Sequence, residues 1–291
     1  MNDTVRRAFL WACALDVVVA RPGNVSIASA GHGMQAAQFL ASAEAAAPAL
    51  VTPGARVGER IESAVRATRA AVGCNTNLGI VLLCAPLAAT APEVGENSPA
   101  GWRAALERVL STLDVDDARA AYRAIAHASP GGLGEAPEQD VAEVPTVDLR
   151  TAMRLAADRD TIARQYANGF GDVFRTGLPP FRHITDIGTT VLACWFGWLA
   201  GFPDSHIARK HGDAVAQSVT NQARVWHTQL SSGAPPDLAA LGRWDAELKA
   251  QGINPGTSAD LTIASAMLAA CIDPALPGRF APHALGMERV R

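Results

Sequence analysis

Helical periodicity runs through nearly the whole chain, and the alternating pattern of a β-strand is almost absent from it. Apolar residues recur at the three- and four-residue spacing of an amphipathic helix, as at Val57, Ile61 and Val65. No two apolar runs are joined by a hairpin turn. The pattern predicts an all-α fold, a single multi-helix globular domain over residues 1–291, with a mobile Gly/Pro-rich acidic loop at about 129–146.

Two of the predicted helices, at 78–87 and 187–199, are apolar on every side and are expected to form the core. Both are shorter than the roughly 20 residues that a membrane span requires. Asn75 is predicted to open the helix that contains the first apolar segment, and the second apolar segment belongs to a predicted helix at 181–200. Thr4 is predicted to cap the first helix of the chain. The remaining helices are predicted at 4–20, 35–47, 57–68, 101–113, 116–128, 148–174, 204–230, 237–251 and 258–271.

Charge and cysteine content narrow the class of protein. A net charge of −3 and a pI near 6.2 argue against a nucleic-acid partner, which favours a basic domain. The five cysteines are scattered and odd in number, as expected for buried thiols in a reducing compartment. No CxxC or HExxH spacing supports a zinc site. We therefore expect a cytoplasmic protein without a membrane partner, and a homo-oligomer is compatible with the sequence.

Unusual polar residues are concentrated in five short clusters, each at a predicted loop-to-helix junction. A helix N-terminus presents unpaired N–H groups and a partial positive charge, which suit phosphates and carboxylates. One such turn is ordinary capping, whereas several with interleaved acids and bases predict a site for a polyanionic ligand. The clusters span residues 21–24, 73–77, 130–135, 203–206 and 254–260.

Three motifs leave alternatives open. Residues 31–36 match a dinucleotide-binding glycine pattern, but they lack the preceding strand and the following acid. Polar residues from Asp158 to Asp172 fall on one face of the predicted helix 148–174, which fits either a solvated or a ligand-facing surface. The cluster after Asp204 fits either a capped, charged helix start or a site in which Asp204 holds magnesium and nearby cations neutralise a triphosphate.

The order of the clusters resembles the triphosphoribosyl-dephospho-CoA synthase family. The similar residues run from about Leu10 to Ala270, and the Pro-Gly-Thr-Ser-Ala-Asp segment that ends at Asp260 is the most specific part. The resemblance implies an all-α, ATP-dependent transferase, active with Mg²⁺, that moves the ribose triphosphate of ATP to the ribose 2′-hydroxyl of dephospho-CoA and releases adenine.

The chain departs from the family motifs at three positions. Asn77 and Leu78 stand where the family has histidine and lysine, and His206 stands where it has asparagine. In these respects the chain looks like the divergent branch that accompanies tetrahydromethanopterin-linked one-carbon metabolism. The resemblance therefore leaves open whether the acceptor is dephospho-CoA or a related molecule.

The resemblance and the chemistry of breaking an N-glycosidic bond together suggest roles for individual residues. Glu135 is the candidate general base, with Asp204 as a second catalytic residue, and Asp204 and Asp260 are candidate magnesium ligands. Nucleotide and phosphate contacts are expected from Arg21, Gly23, Asn24, His32, Asn75, Thr76, Asn77, His206, Arg209, Lys210 and Ser258.

Two further hypotheses stay open at the level of sequence. One is an ATP-dependent transferase that makes a one-carbon carrier cofactor of the tetrahydromethanopterin or methanofuran type, with a different acceptor. The other is a non-catalytic nucleotide-binding accessory protein that kept the pocket. The departures at Asn77 and Leu78 favour these two over a strict family assignment.

Overall fold

Helices make up 69% of the structure, a computed structural model that describes residues 2–233 and 235–281, and no β-strand occurs in those residues. The all-α prediction is confirmed. The α-helices, α1 to α14 in chain order, are Asn2–Val18, Ala36–Leu50, Val57–Val72, Leu78–Thr90, Pro99–Ser111, Val115–Ala128, Leu149–Ala156, Thr161–Ala167, Ile187–Gly201, Ser205–His211, Asp213–Ser231, Leu238–Ala250, Gly256–Ile272 and Leu276–Arg279.

Three apolar helices, α4, α9 and α13, form the centre of the core. Nearly every residue of α13 is buried, and α13 packs against α1, α4 and α9. A helix that is apolar on all sides must be surrounded by other helices to leave water. Because α4 and α9 are buried along most of their length, the predicted core segments 78–87 and 187–199 are confirmed.

Leu83 tests the packing of α4. Its side chain is fully buried, so Leu83→Ala is expected to lower the free energy of unfolding by about 2–5 kcal/mol through lost burial and a new cavity. The control Leu238→Ala removes a leucine that is 71% exposed and is expected to change stability by less than about 0.5 kcal/mol. Chemical denaturation of both variants checks this, and equal midpoints would contradict the burial of α4.

The predicted single helix 148–174 is wrong, because the chain forms α7, α8 and a π-helical turn at Val173–Gly177 instead. Asp160 interrupts the predicted helix because its side chain accepts hydrogen bonds from the backbone of Ile162 and Ala163 and so caps the start of α8. Gly169 and Phe170 then have left-handed φ angles of +66° and +58° and terminate it. The polar stripe therefore does not share one helical face.

Three other predicted helix boundaries change for local reasons. The helix at 204–230 divides into α10 and α11 at Gly212, whose φ is +87°. The helix at 181–200 begins at Ile187, since Asp186 accepts a hydrogen bond from the Thr189 backbone. The first helix begins at Asn2, so Thr4 lies inside it rather than at its cap.

The predicted loop between α6 and α7 is present, since residues 129–148 connect these helices without a helix of their own. The mobility of that loop stays a prediction.

Within residues 2–233 and 235–281, no helix is both long and apolar enough to cross a membrane.

Candidate active site

The helix starts surround one large cavity of about 1360 Å³, into which loops from both halves of the chain converge. Ten of the fourteen predicted site residues line this cavity. They belong to segments that are distant in the sequence and that only the fold brings together. The lining residues are Arg21, Asn24, His32, Asn75, Thr76, Asn77, His206, Arg209, Lys210 and Asp260. The other four, Gly23, Glu135, Asp204 and Ser258, are not part of the cavity wall.

The loop after α1 packs directly on the loop before α13. Asn24 Nδ2 donates to Asn254 Oδ1 at 2.7 Å, and His32 Nε2 lies 2.8 Å from the carbonyl oxygen of Gly23. Gly23 has a φ of +80°, and a Cβ atom there would lie 2.7 Å from Pro255 Cδ. Glycine at this position therefore permits the close approach that brings the first and last clusters together.

Arg21 is a buried cation in the cavity wall, with a side chain 1% exposed. Its Nη2 donates to both the backbone oxygen and the carboxylate of Asp16. Its Nε and Nη1 atoms have no hydrogen-bond partner among the described residues. A buried guanidinium ordinarily satisfies its donors, so Arg21 retains capacity for an anionic ligand.

Asp260 presents an unpaired carboxylate to the cavity. It accepts no hydrogen bond from the described residues, and burial, followed by the charges of Asp16 and Asp204, raises its pKa well above the usual range. Gly79 leaves the necessary space, since a Cβ atom at that position would lie only 2.0 Å from Asp260 Oδ2. The pair Gly79–Asp260 therefore leaves a carboxylate free for a proton or a cation.

Asp204, the N-cap of α10, has a different environment. Its Oδ1 accepts from the backbone of His206 and Ile207, and its Oδ2 accepts from the backbone and hydroxyl of Ser258 at 2.7 and 2.8 Å. Burial raises the pKa of Asp204, while the hydrogen bonds from Ser258 act in the opposite direction. In this arrangement Asp204 and Ser258 join the starts of α10 and α13 behind the cavity wall.

Positive groups of α10 form a second part of the wall. Arg209 Nη1 donates to Asp160 Oδ2 at 2.9 Å, and the backbone N–H of Thr161 donates to Ser205 Oγ at 2.9 Å, so α8 and α10 are joined at their starts. Burial, with the charges of Lys210 and Arg209, lowers the pKa of His206 to about 3. His206 is therefore a neutral side chain between cations at pH 7.

The loop before α4 is ordered by short polar contacts. Asn75 Oδ1 accepts from the backbone N–H of Leu78, so α4 begins three residues later than predicted, and Thr76 Oγ1 donates to Ser42 Oγ at 2.6 Å. The buried Nδ2 of Asn77 has no partner among the described residues. Asn77 is thus available to a ligand, whereas Asn75 is partly committed to the turn.

Glu135 is exposed and lies outside the wall, although its neighbours Gly134 and Ala136 line the cavity. Conversely, sequence reasoning missed Asp16 and Asp160 as site residues, and both line it. A lone acid within the apolar segment of α1 was a detectable signal for Asp16, because a buried carboxylate needs a partner. Asp160 gave no comparable signal, since a helix cap explains it fully.

Side chains of the described ranges 2–233 and 235–281 form no group of three or more His, Cys, Asp or Glu residues that could hold a metal ion. Magnesium does not require such a group, because it commonly uses one or two carboxylates together with water and substrate phosphates. The free carboxylate of Asp260 fits that mode of binding better than the fully hydrogen-bonded carboxylate of Asp204.

Comparison with known proteins identifies the family of the chain. A solved structure from Archaeoglobus fulgidus, provisionally assigned as a triphosphoribosyl-dephospho-CoA synthase, has 25% sequence identity and a TM-score of 0.66, and the similarity covers 81% of this chain and 99% of that one. Among curated proteins, none matches the chain. The sequence profile described as CitG: ATP:dephospho-CoA triphosphoribosyl transferase matches residues 2–276. With nearly its whole length matched, the chain belongs to the CitG family of ATP:dephospho-CoA triphosphoribosyl transferases.

Proposed function

We propose that this transferase uses Mg²⁺ and ATP to build a triphosphoribosyl product on dephospho-CoA, and that the reaction takes place in the cavity between the helix starts. The observation that carries the proposal is the cavity itself, which collects ten predicted site residues. Its volume of about 1360 Å³ exceeds the roughly 300–1,000 Å³ typical of a single small-molecule site. A cavity of this size is compatible with two nucleotides bound together.

Phosphate binding is supported by cations distributed around the wall. Within the described part of the chain, Nε and Nη1 of Arg21 and the buried Nε of Arg209 have no hydrogen-bond partner, and Lys210 is exposed at the rim. His32, Asn24 and the neutral His206 would add hydrogen bonds to phosphate or ribose oxygens. Gly23 and Ser258 would contribute indirectly, because they fix the loops from which these groups project.

Asp260 would hold the magnesium ion together with substrate phosphates, and Asp204 would hold the helix that carries His206 and Arg209 in place. When bound, the ion would supply positive charge that neutralises the triphosphate. Within the protein, Asn75 and Thr76 would orient the ligand through the fixed turn before α4, and Asn77 would donate its free Nδ2 to it.

The transfer breaks the bond between C1′ of the ATP ribose and N9 of adenine, and it forms a bond between C1′ and the acceptor hydroxyl oxygen. The bonding electrons leave with adenine, and the hydroxyl proton is taken up by a carboxylate before it reaches the departing base. We propose Glu135 for this carboxylate. For that role the side chain must turn inwards from a loop whose adjacent residues, Gly134 and Ala136, already line the cavity.

Incubation with ATP, Mg²⁺ and dephospho-CoA tests the proposal. We expect free adenine and a product whose mass equals ATP plus dephospho-CoA minus adenine, detected by mass spectrometry. Omission of the acceptor or addition of a magnesium chelator should stop the release of adenine. Bound substrates without any product would indicate the accessory protein instead.

A second acceptor is supported by Leu78, which lines the cavity at a position where the family motif carries a lysine. An apolar side chain there removes a cation from the wall and changes what the wall can bind. A cofactor precursor of the tetrahydromethanopterin or methanofuran type is the alternative acceptor. Adenine release that is slow with dephospho-CoA and fast with such a precursor would favour it.

A further inference from the structure

Arg164 occupies a part of the cavity wall that the proposed roles leave unused. Its guanidinium carbon lies 5.6 Å from the ring centroid of Phe202, and both residues line the cavity. The ring of Phe202 lies in turn 5.8 Å from that of the fully buried Trp198. A guanidinium over an anchored aromatic ring is attracted to the ring while its charge stays accessible.

Asp172 also holds the same guanidinium. Its carboxylate is fully buried, and its Oδ2 accepts from Arg164 Nε at 2.8 Å, from Asn168 at 2.7 Å and from Gln165 at 3.1 Å. Only Nε of Arg164 is used in this contact, and its Nη1 and Nη2 atoms make no hydrogen bond to another described residue. The two terminal donors therefore remain as a pre-oriented fork.

We propose that Arg164 binds a phosphate group of a nucleotide substrate through Nη1 and Nη2. A fork of two parallel N–H donors matches two oxygens of a phosphate, and prior orientation reduces the entropy lost on binding. The inference rests on the proposed function for the identity of the nucleotides. Both ATP and dephospho-CoA carry phosphates, and the experiment distinguishes which of them Arg164 contacts.

Arg175 provides a matched control. It pairs with the other oxygen of the same Asp172 carboxylate, and its side chain is 67% exposed, but it does not line the cavity. Arg164→Ala and Arg175→Ala therefore each remove one arginine from Asp172, and only the first removes donors from the cavity. Thermal unfolding of both variants measures the shared structural effect.

Calorimetric titration of each variant with ATP plus Mg²⁺, with dephospho-CoA and with inorganic pyrophosphate tests the proposal. Arg164→Ala should weaken the binding of at least one of these ligands by about tenfold or more. Arg164→Lys, which keeps the charge without the fork, should recover only part of that loss. Arg175→Ala should remain within about twofold of the wild type for all three, which is less than about 0.5 kcal/mol.

The outcomes separate the inference from the proposed function. A loss confined to ATP or to dephospho-CoA assigns Arg164 to that substrate. Weaker binding of pyrophosphate by Arg164→Ala, in a protein that binds neither nucleotide, supports the phosphate contact and overturns the proposed function. Equal affinities of Arg164→Ala and the wild type, or a wild type that binds none of the three ligands, overturn the inference.

Discussion

Replacing Asp260 with asparagine is expected to lower the rate of adenine release by about a hundredfold or more, a loss of about 2.7 kcal/mol of transition-state stabilisation. Asparagine keeps the shape that fits against Gly79 and removes the charge. The carboxylate has no hydrogen-bond partner among residues 2–233 and 235–281, so its loss should affect ligand binding rather than the fold. Steady-state rates over a range of magnesium concentrations provide the measurement.

The thermal stability of the Asp260→Asn variant is a second test, independent of the rate of adenine release. Burial raises the pKa of Asp260, so the folded state holds the proton more tightly than the unfolded state. The resulting stabilisation is present below the ordinary aspartate pKa of about 3.9 and is lost as pH rises through the raised value. At pH 8 the ligand-free variant should therefore unfold at the same or a higher temperature than the wild type.

Asp237→Asn is the matched control, because Asp237 caps α12 outside the cavity and asparagine caps comparably. That variant should keep the wild-type rate and unfolding temperature. A normal rate for Asp260→Asn would remove Asp260 from the reaction centre. A sharp loss of stability at pH 8 would show that its charge supports the fold.

Replacing Asp204 with alanine is expected to lower the free energy of unfolding by about 3 kcal/mol or more, because the buried backbone donors of Ile207 and Ser258 and the Ser258 hydroxyl lose their acceptor. The effect should appear without any ligand, as a lower denaturation midpoint. Disruption of the junction between α10 and α13 should also reduce turnover, since Arg209 and Asp260 project from these helices.

Ser258→Ala separates the structural role of Asp204 from the predicted metal role. It removes one hydroxyl donor from the same carboxylate and is expected to cost about 1 kcal/mol. A graded loss of stability across Ser258→Ala and Asp204→Ala supports the structural role. Should Asp204→Ala unfold like the wild type and lose only magnesium-dependent binding of ATP, Asp204 would be a metal ligand.

Local patterns in the sequence were sufficient for the fold class. Helical spacing and capping depend on residues within one or two turns, so the all-α fold and the buried helices α4 and α9 were predictable. Ten of the fourteen predicted site residues line one cavity, while their roles stay predictions. The break at Asp160 was missed because a capping acid inside a helical pattern resembles an ordinary surface residue.

Only the tertiary structure distinguished acids that look alike in the sequence. Asp204 and Asp260 both stand near helix starts, yet Ser258, more than fifty residues from Asp204, fills the acceptor capacity of one, and Gly79 leaves the other open. The exposure of Glu135 is likewise set by the tertiary structure, because it depends on the path of its loop beside the cavity. Local sequence determines which residues can carry charge near a helix start. The packing of distant segments determines whether that charge is satisfied by the protein or left for a ligand, because burial and hydrogen-bond partners arise only when those segments meet.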